Sequence, residues 1–419
     1  MFLKGAPNSS RRVRPRHILL GLLVLLSIIT FLDRLCIAIA GPRIQQELGI
    51  SPQRWGWVLG AFILAYGAFE IPTGALGDRY GRRGVLTRIV LWWSTFTMLT
   101  GLATGFIPLV VIRFLFGAGE AGAYPNMAGV VSQSLPKERA SAQGFIWGAS
   151  RAGGALAPLL VVPIQAAFGW RVSFFVFGVM GVIWCAVWRR WYREEDQPGV
   201  AAAANQRVPT PWGLLFRSSQ LWTIMAMYCC YAWGSWFYFS WLHTWLVKGR
   251  GFTEAEMGIF SALPFLLGAA GSLAGGFLSD AAVRRFGLRY GRVAVGSTCL
   301  TIGACLLVAT ALTRDRGMAV ALLSIGFGVL DLMLPSAWAI CLDISGPHAG
   351  AVSGAMNTAG QLGGFMCTVL FGYIVGQYND YDLPLFVIAG MVALSAFLFA
   401  RIDASRPLFP EVATERTAG

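Results

Sequence analysis

Apolar runs of about 20 residues recur along the whole 419-residue chain, separated by short clusters rich in Arg, Lys, Gly and Pro. A helix rising about 1.5 Å per residue needs about 20 residues to cross the roughly 30 Å hydrocarbon core of a bilayer. Twelve such runs are read, roughly 17–40, 55–75, 85–105, 107–130, 142–165, 171–191, 219–245, 257–279, 291–312, 317–341, 351–375 and 383–402. The longest connection, Tyr192 to Ser218, holds Arg193, Glu194, Glu195, Asp196, Pro198, an Ala run and Pro209, which reads as a solvated linker. The pattern therefore predicts an all-α integral membrane protein with twelve transmembrane helices, six in 1–191 and six in 219–419, joined by a linker over 192–218.

Composition agrees. Hydrophobic residues make up 56% of the chain and charged residues 13%, against about 25% charged in an ordinary soluble domain. The mean hydropathy is +0.61. A soluble protein this apolar would have too little polar surface to cover itself, whereas lipid is a suitable solvent for it.

The net charge of +13 raises nucleic acid as a partner. The positions of the cations answer it differently. Lys and Arg gather at alternate connections: the N-terminus, loops two–three, four–five and eight–nine, the central linker and the tail hold about 23, and the opposite side about 7. That asymmetry sets orientation in a membrane, with both termini cytoplasmic, and no nucleic acid is expected. The basic N-terminus, apolar run and Ala38-Ile39-Ala40 mimic a signal peptide, but Asp33 and Arg34 interrupt it, so a retained first span is expected. The eight Cys fall within the predicted spans, implying no disulfide framework. Neither metal-ligand spacing nor a G-x-x-x-x-G-K-[ST] loop for ATP appears. No cofactor, metal or enzymatic activity is expected; any transport would draw on ion or solute gradients.

Between spans two and three runs Gly74-Ala75-Leu76-Gly77-Asp78-Arg79-Tyr80-Gly81-Arg82-Arg83. It resembles the signature loop of the major facilitator superfamily, and Gly275-Gly276-Phe277-Leu278-Ser279-Asp280 with Arg284 and Arg285 resembles a decayed second copy six spans later. The resemblance implies the major facilitator fold, two six-helix bundles (1–191 and 219–419) joined by a cytoplasmic linker over 192–218, and a gating latch at Gly74, Asp78, Arg79, Gly81 and Arg82. Gly74 would let a neighbouring helix approach, and Asp78 would meet a helix N-terminus.

Charges inside predicted spans cost about 2.5–3.5 kcal/mol each on the insertion scale, so they mark function or mutual pairing. The first half has Asp33, Arg34, Glu70, Arg113, Glu120 and Arg151; the second has chiefly Asp331 and His243. Arg113 and Glu120 are two helical turns apart on one face. Gly117, Gly119 and Gly122, with Pro125, suit either tight helix contact or rocking.

A closer resemblance rests on Phe31-Leu32-Asp33-Arg34, the stretch from Arg113 to Pro125 (RFLFGAGEAGAYP), Pro136-Lys137-Glu138-Arg139-Ala140 and Gly169-Trp170-Arg171-Val172-Ser173-Phe174. These look like the anion:cation symporter family, which includes bacterial sugar-acid and hexuronate symporters. The resemblance implies substrate contacts at Arg34, Arg113, Trp338 and Asn357, with Gln361 one turn beyond Asn357, and titratable acids for proton coupling at Asp33 and Glu120; Arg151 is a further candidate substrate contact on its charge alone. Three positions depart from it. Arg151 replaces a neutral polar residue, which favours a dianion or a pair with Glu120. Glu70 replaces Gln and is expected to make a structural hydrogen bond. His243 replaces Pro and is expected to be a satisfied structural histidine.

The expected function is proton-coupled symport of a small organic anion, such as a sugar acid or other carboxylate, by alternating access. The expected setting is the lipid bilayer of a bacterial inner membrane, as a monomer. Exchange of organic phosphates, metabolite export and a transport-dead solute receptor are the competing readings.

Overall fold

The computed structural model describes residues 16–134, 139–192, 211–345 and 349–408. The basic N-terminus, most of the linker, Pro136-Lys137-Glu138 and the end of the tail lie outside the described residues, as do the side chains of Asp78 and Arg79.

Helix follows helix, with no strand among the described residues. The first seven are α1 (Arg16–Leu48), α2 (Pro52–Tyr80), α3 (Arg82–Thr100), α4 (Phe106–Glu120), α5 (Ala123–Ser134), α6 (Arg139–Phe168) and α7 (Trp170–Trp191). After the linker come α8 (Trp212–Leu215), α9 (Ser219–Ser240), α10 (Leu242–Thr244), a π-helical turn (Trp245–Gly249), α11 (Glu254–Phe260), α12 (Ala262–Leu312), α13 (Arg316–Ser345), α14 (Ala349–Tyr378) and α15 (Leu383–Arg401).

Local chemistry explains where these helices start and stop. The Ser51 side chain caps α2 by accepting from the Arg54 N–H, and Pro52 fits the first turn, whose N–H groups have no intrahelical partner. Thr253 and Glu256 form a reciprocal capping box at the start of α11. Gly81, at φ 86°, turns the chain from α2 into α3. Gly287, at φ 78°, breaks α12 into two arms of about 37 Å each at 1.5 Å per residue. Both turns need a backbone conformation that side chains with a Cβ rarely adopt. They fall at the two related motifs of the sequence.

Eight described segments are long and apolar enough to cross a membrane. One of them, Glu254–Leu312, contains both arms of α12. The helices α2, α3 and α9, also expected to span, are not among the eight. Polar side chains dilute them, as Arg82, Arg83, Arg88, Ser94 and Thr97 do in α3. Large apolar side chains such as Ile107, Phe168, Leu273 and Phe277 point outward, as they must where the surrounding solvent is lipid.

Interior packing relies on small residues. A methyl group on Gly117 would collide with the Phe62 carbonyl, on Gly119 with Trp92 and on Gly122 with Thr73. Tight contact of α4 with α2 and α3 therefore accounts for these glycines. Gly271 and Gly275 of α12 likewise lie against the backbone of α13. The helix α2 runs antiparallel along α14: Pro52 meets Gly372, Gly60 meets Phe365 and Val369, and Gly67 meets Gln361. At the same end, Arg43 of α1 pairs with Glu254 of α11 at 2.5 Å, and Lys248 donates to Gln45 at 3.2 Å. The end of the molecule that carries Pro52 and Gly372 is thus sealed.

Candidate functional site

Three neighbouring helices bring charge into the interior. Phe31, Asp33 and Arg34 lie on α1, Phe62, Tyr66 and Glu70 on α2, and Arg113 and Glu120 on α4. Asp33 is 1% exposed, Arg113 2% and Glu120 fully buried. The break at Ala121–Gly122 ends α4 at Glu120, so this carboxylate sits at a helix end in the core.

Glu120 pairs with Arg34, whose Nε donates to Oε1. Among the described residues the other Glu120 oxygen has no hydrogen-bond partner, and neither has Arg34 Nη2. The Arg34 guanidinium lies 4.6 Å from the Tyr66 ring centroid, 5.5 Å from Phe31 and Phe62, and 5.8 Å from Tyr124. Aromatic faces attract a cation and keep water away from it. Tyr124 is fixed by Ser27 at 3.1 Å and Ser150 at 2.7 Å, which ties α1, α5 and α6 together behind Arg34.

Arg113 has no carboxylate within ion-pair distance among the described residues. Its guanidinium rests 4.5 Å from the Phe116 centroid and 4.8 Å from Phe62. Asp33 has Arg113 and Glu120 as charged neighbours. Neither of its oxygens meets hydrogen-bond geometry, although the Trp93 indole faces it. Among the described residues, an arginine outside ion-pair distance of any carboxylate, a carboxylate faced by an indole alone and one buried ion pair therefore share one site. Such a set is costly in hydrocarbon and suited to an anion and a proton.

These groups border a cavity of about 60 Å³ lined by Phe31, Arg34, Phe62, Arg113, Trp236 and Phe239, among others. Drug-sized ligands occupy pockets of roughly 300–1,000 Å³, so this space is small for one. The site is constricted in this conformation.

The remaining expected residues divide. Arg151 of α6 does not pair with Glu120. Its Nη2 lies 3.0 and 3.1 Å from the two oxygens of Asp331 on α13. Asn357 donates to both Glu70 oxygens at 2.9 and 3.0 Å, the structural hydrogen bond expected of Glu70. Gln361 packs on Gly67 with its amide oxygen buried and unpartnered. Trp338 lies beside the Tyr228 hydroxyl.

His243 corrects an expectation. It is fully buried where α9 gives way to the π-helical turn, and neither ring nitrogen has a partner among the described residues. Full burial with both nitrogens unpartnered means that it is not a satisfied histidine.

In the signature loop, Gly74 packs on Pro125 as its small size predicts, Gly81 supplies the turn, and the Arg82 guanidinium lies across Gly129. Asp331, Tyr66 and Tyr124 are the site residues that sequence reasoning gave no role. Tyr66 and Tyr124 are each one turn from a flagged carboxylate, Glu70 and Glu120, and that spacing was the available signal.

Over residues 23–368 the chain matches the Major Facilitator Superfamily. It is 34% identical to a probable sulfoacetate transporter of Cupriavidus necator, covering 92% of this chain and 93% of that one. A hexuronate transporter of Bacillus subtilis is 31% identical, over 92% and 94% of the two chains. A D-galactonate transporter of Escherichia coli is 28% identical, over 92% and 95%. Among solved structures, a bacterial homolog of the human lysosomal transporter Spinster, inward-facing and occupied, superposes with a TM-score of 0.82 at 19% identity, covering 94% of this chain and 99% of that one. The fold is shared with that protein. With the family model and these relatives spanning nearly its whole length, the chain belongs to the Major Facilitator Superfamily and, within it, to the anion:cation symporter group of membrane transporters.

Proposed function

We propose that this protein is a secondary active transporter that takes up a small organic anion together with protons by alternating access. In this reading the chain crosses a bacterial inner membrane twelve times as a monomer, with both termini cytoplasmic. Two six-helix bundles, 1–191 and 219–419, rock about the central site, and the segment 192–218 links them. The similarity to a probable sulfoacetate transporter, a hexuronate transporter and a D-galactonate transporter supports a carboxylate or similar organic acid as substrate.

The observation that carries the proposal is the buried Arg34–Glu120 pair beside the unpaired Arg113. An incoming anion takes Arg113 and Arg34 in a medium of low dielectric, where charge pairing is strong. Glu120, released from Arg34, is then a buried carboxylate without a cation and binds a proton. Asp33 is a second proton acceptor. Arg151, Trp338, Asn357 and Gln361 complete the cage as the bundles move, and the loop at Gly74, Asp78, Arg79, Gly81 and Arg82 latches the alternate state. Neutralising anion and acid together lowers the cost of carrying both across.

The test is solute-induced proton movement in proteoliposomes. Addition of sulfoacetate, a hexuronate or D-galactonate should alkalinise the outer medium, and an inward proton gradient should drive accumulation. Solute exchange that continues with no proton movement would favour an exchanger instead.

A further inference from the structure

A second arginine–carboxylate pair lies next to the first site. Arg151 and Asp331 come from α6 and α13, far apart in the chain, and Asp331 is fully buried. The Tyr231 hydroxyl of α9 approaches Asp331 Oδ1 at 3.4 Å. On the α12 side the wall is a glycine: a methyl on Gly268 would come within 2.7 Å of Asp331 Oδ2. Four helices are thus shaped around one carboxylate and its guanidinium. Packing alone would be served as well by apolar side chains, which often replace a buried ion pair at no loss of stability.

The second feature is what separates the two arginine sites. The Arg151 guanidinium lies 5.5 Å from the Phe239 centroid, and Arg34 lies 5.5 Å from Phe31. Phe31 and Phe239 contact each other edge to face at 5.9 Å, and both line the cavity. Arg34 thus lies on the Phe31 side of this ring pair and Arg151 on the Phe239 side.

We infer that Asp331 stands in for the second anionic group of the substrate, so that the transporter selects short dianions: one end binds Arg34 and Arg113, and the other displaces Asp331 from Arg151. This rests on the functional reading above and specifies its substrate class. A monoanion leaves the Arg151–Asp331 tie between α6 and α13 intact. A dianion exchanges one buried carboxylate for another at Arg151 and so releases the tie, which links substrate charge to helix movement.

Two acid pairs test this by calorimetry and by competition for uptake in proteoliposomes. Galactarate differs from D-galactonate only in its second terminal carboxylate. Sulfoacetate differs from glycolate in carrying a sulfonate in place of a hydroxyl. In at least one pair, wild-type protein should bind the dianion about tenfold or more tightly, a modest value for a close charge pair. Asp331→Asn removes the competitor and should widen that ratio by about another tenfold. Arg151→Gln alone leaves Asp331 buried without a cation and is at risk of misfolding, so the double variant Arg151→Gln/Asp331→Asn is used; its ratio should fall to about one, the value without a second cation. Equal wild-type affinity within both pairs, or ratios that stay fixed in the variants while both affinities move together, would overturn the inference and leave the pair as a structural tie. Binding of none of the four acids would overturn the functional reading as well.

Discussion

Two arginines of α1 meet glutamates in opposite surroundings. Arg34 pairs with Glu120 in the core, with side chains 16% and 0% exposed. Arg43 pairs with Glu254 at the sealed rim, with side chains 34% and 29% exposed. The chemistry is the same and the alternatives differ. At the rim, water and salt can replace either partner, so the net value of such a pair is about 0–1 kcal/mol. In the core nothing replaces the partner except another protein charge, a proton or a substrate. In the proposed cycle it is this difference that lets the buried pair convert the arrival of an anion into a change of protonation.

The largest effect expected from this contrast is at Arg113, a core cation without a carboxylate partner. Arg113→Ala should weaken anion binding at least about 100-fold, within the roughly 2–5 kcal/mol lost when one member of a buried charge pair is removed. Lys should restore only part of it, because it lacks the planar fork that grips a carboxylate at two points. Calorimetry on folded protein decides, and wild-type affinity in the Ala variant would remove Arg113 from the site.

Glu120→Gln comes next, and its effect should be selective. The amide imitates the protonated acid, so anion binding and counterflow should persist within about threefold, while accumulation driven by a proton gradient is lost. Counterflow and pH-driven uptake measured on one preparation separate the two. Accumulation at the wild-type level would show that Glu120 does not carry the proton.

The contrast also shows how much could be read without coordinates. Helices were legible because every apolar run has to satisfy its own backbone in lipid. The core charges were legible too, because Asp33, Arg34, Arg113 and Glu120 stand alone in apolar stretches. Their pairing was not. Spacing puts Arg113 and Glu120 on one face of α4, yet Glu120 meets Arg34 of α1, since i and i+7 side chains lie too far apart to touch. Asp331 was visible as a buried acid, but its partner is 180 residues away. Residue spacing reports neighbours within one helix, and contacts between helices depend on where each bends. The breaks at Ala121–Gly122, Trp241 and Gly287 set those bends here.

A smaller effect is expected at the signature loop, away from the core pair. Asp78→Asn should leave anion affinity within about twofold and slow transport by about three- to tenfold if Asp78 meets a helix N-terminus as the signature-loop resemblance implies, a contact worth roughly 0.3–2 kcal/mol. If affinity fell as far as the transport rate, the loop would be part of the binding site and not a latch.

The smallest effect belongs to the rim and tests the comparison most directly. Glu254→Gln removes one charge from the Arg43 pair but leaves an amide oxygen that can accept from the same guanidinium. Arg43 also donates to the Gln165 carbonyl at 2.7 Å, so α1 remains tied to α6 at this end. With both partners partly in water, the lost charge should change uptake by less than about threefold. Raising the salt concentration should narrow even that gap, since exposed charges are screened over about 10 Å at 0.1 M. Uptake rate and thermal stability, each followed at low and high salt, give the answer. A salt-insensitive loss as deep as that of Glu120→Gln would mean that the rim pair is as isolated from water as the core pair, and burial would then no longer explain why only one of them couples to transport.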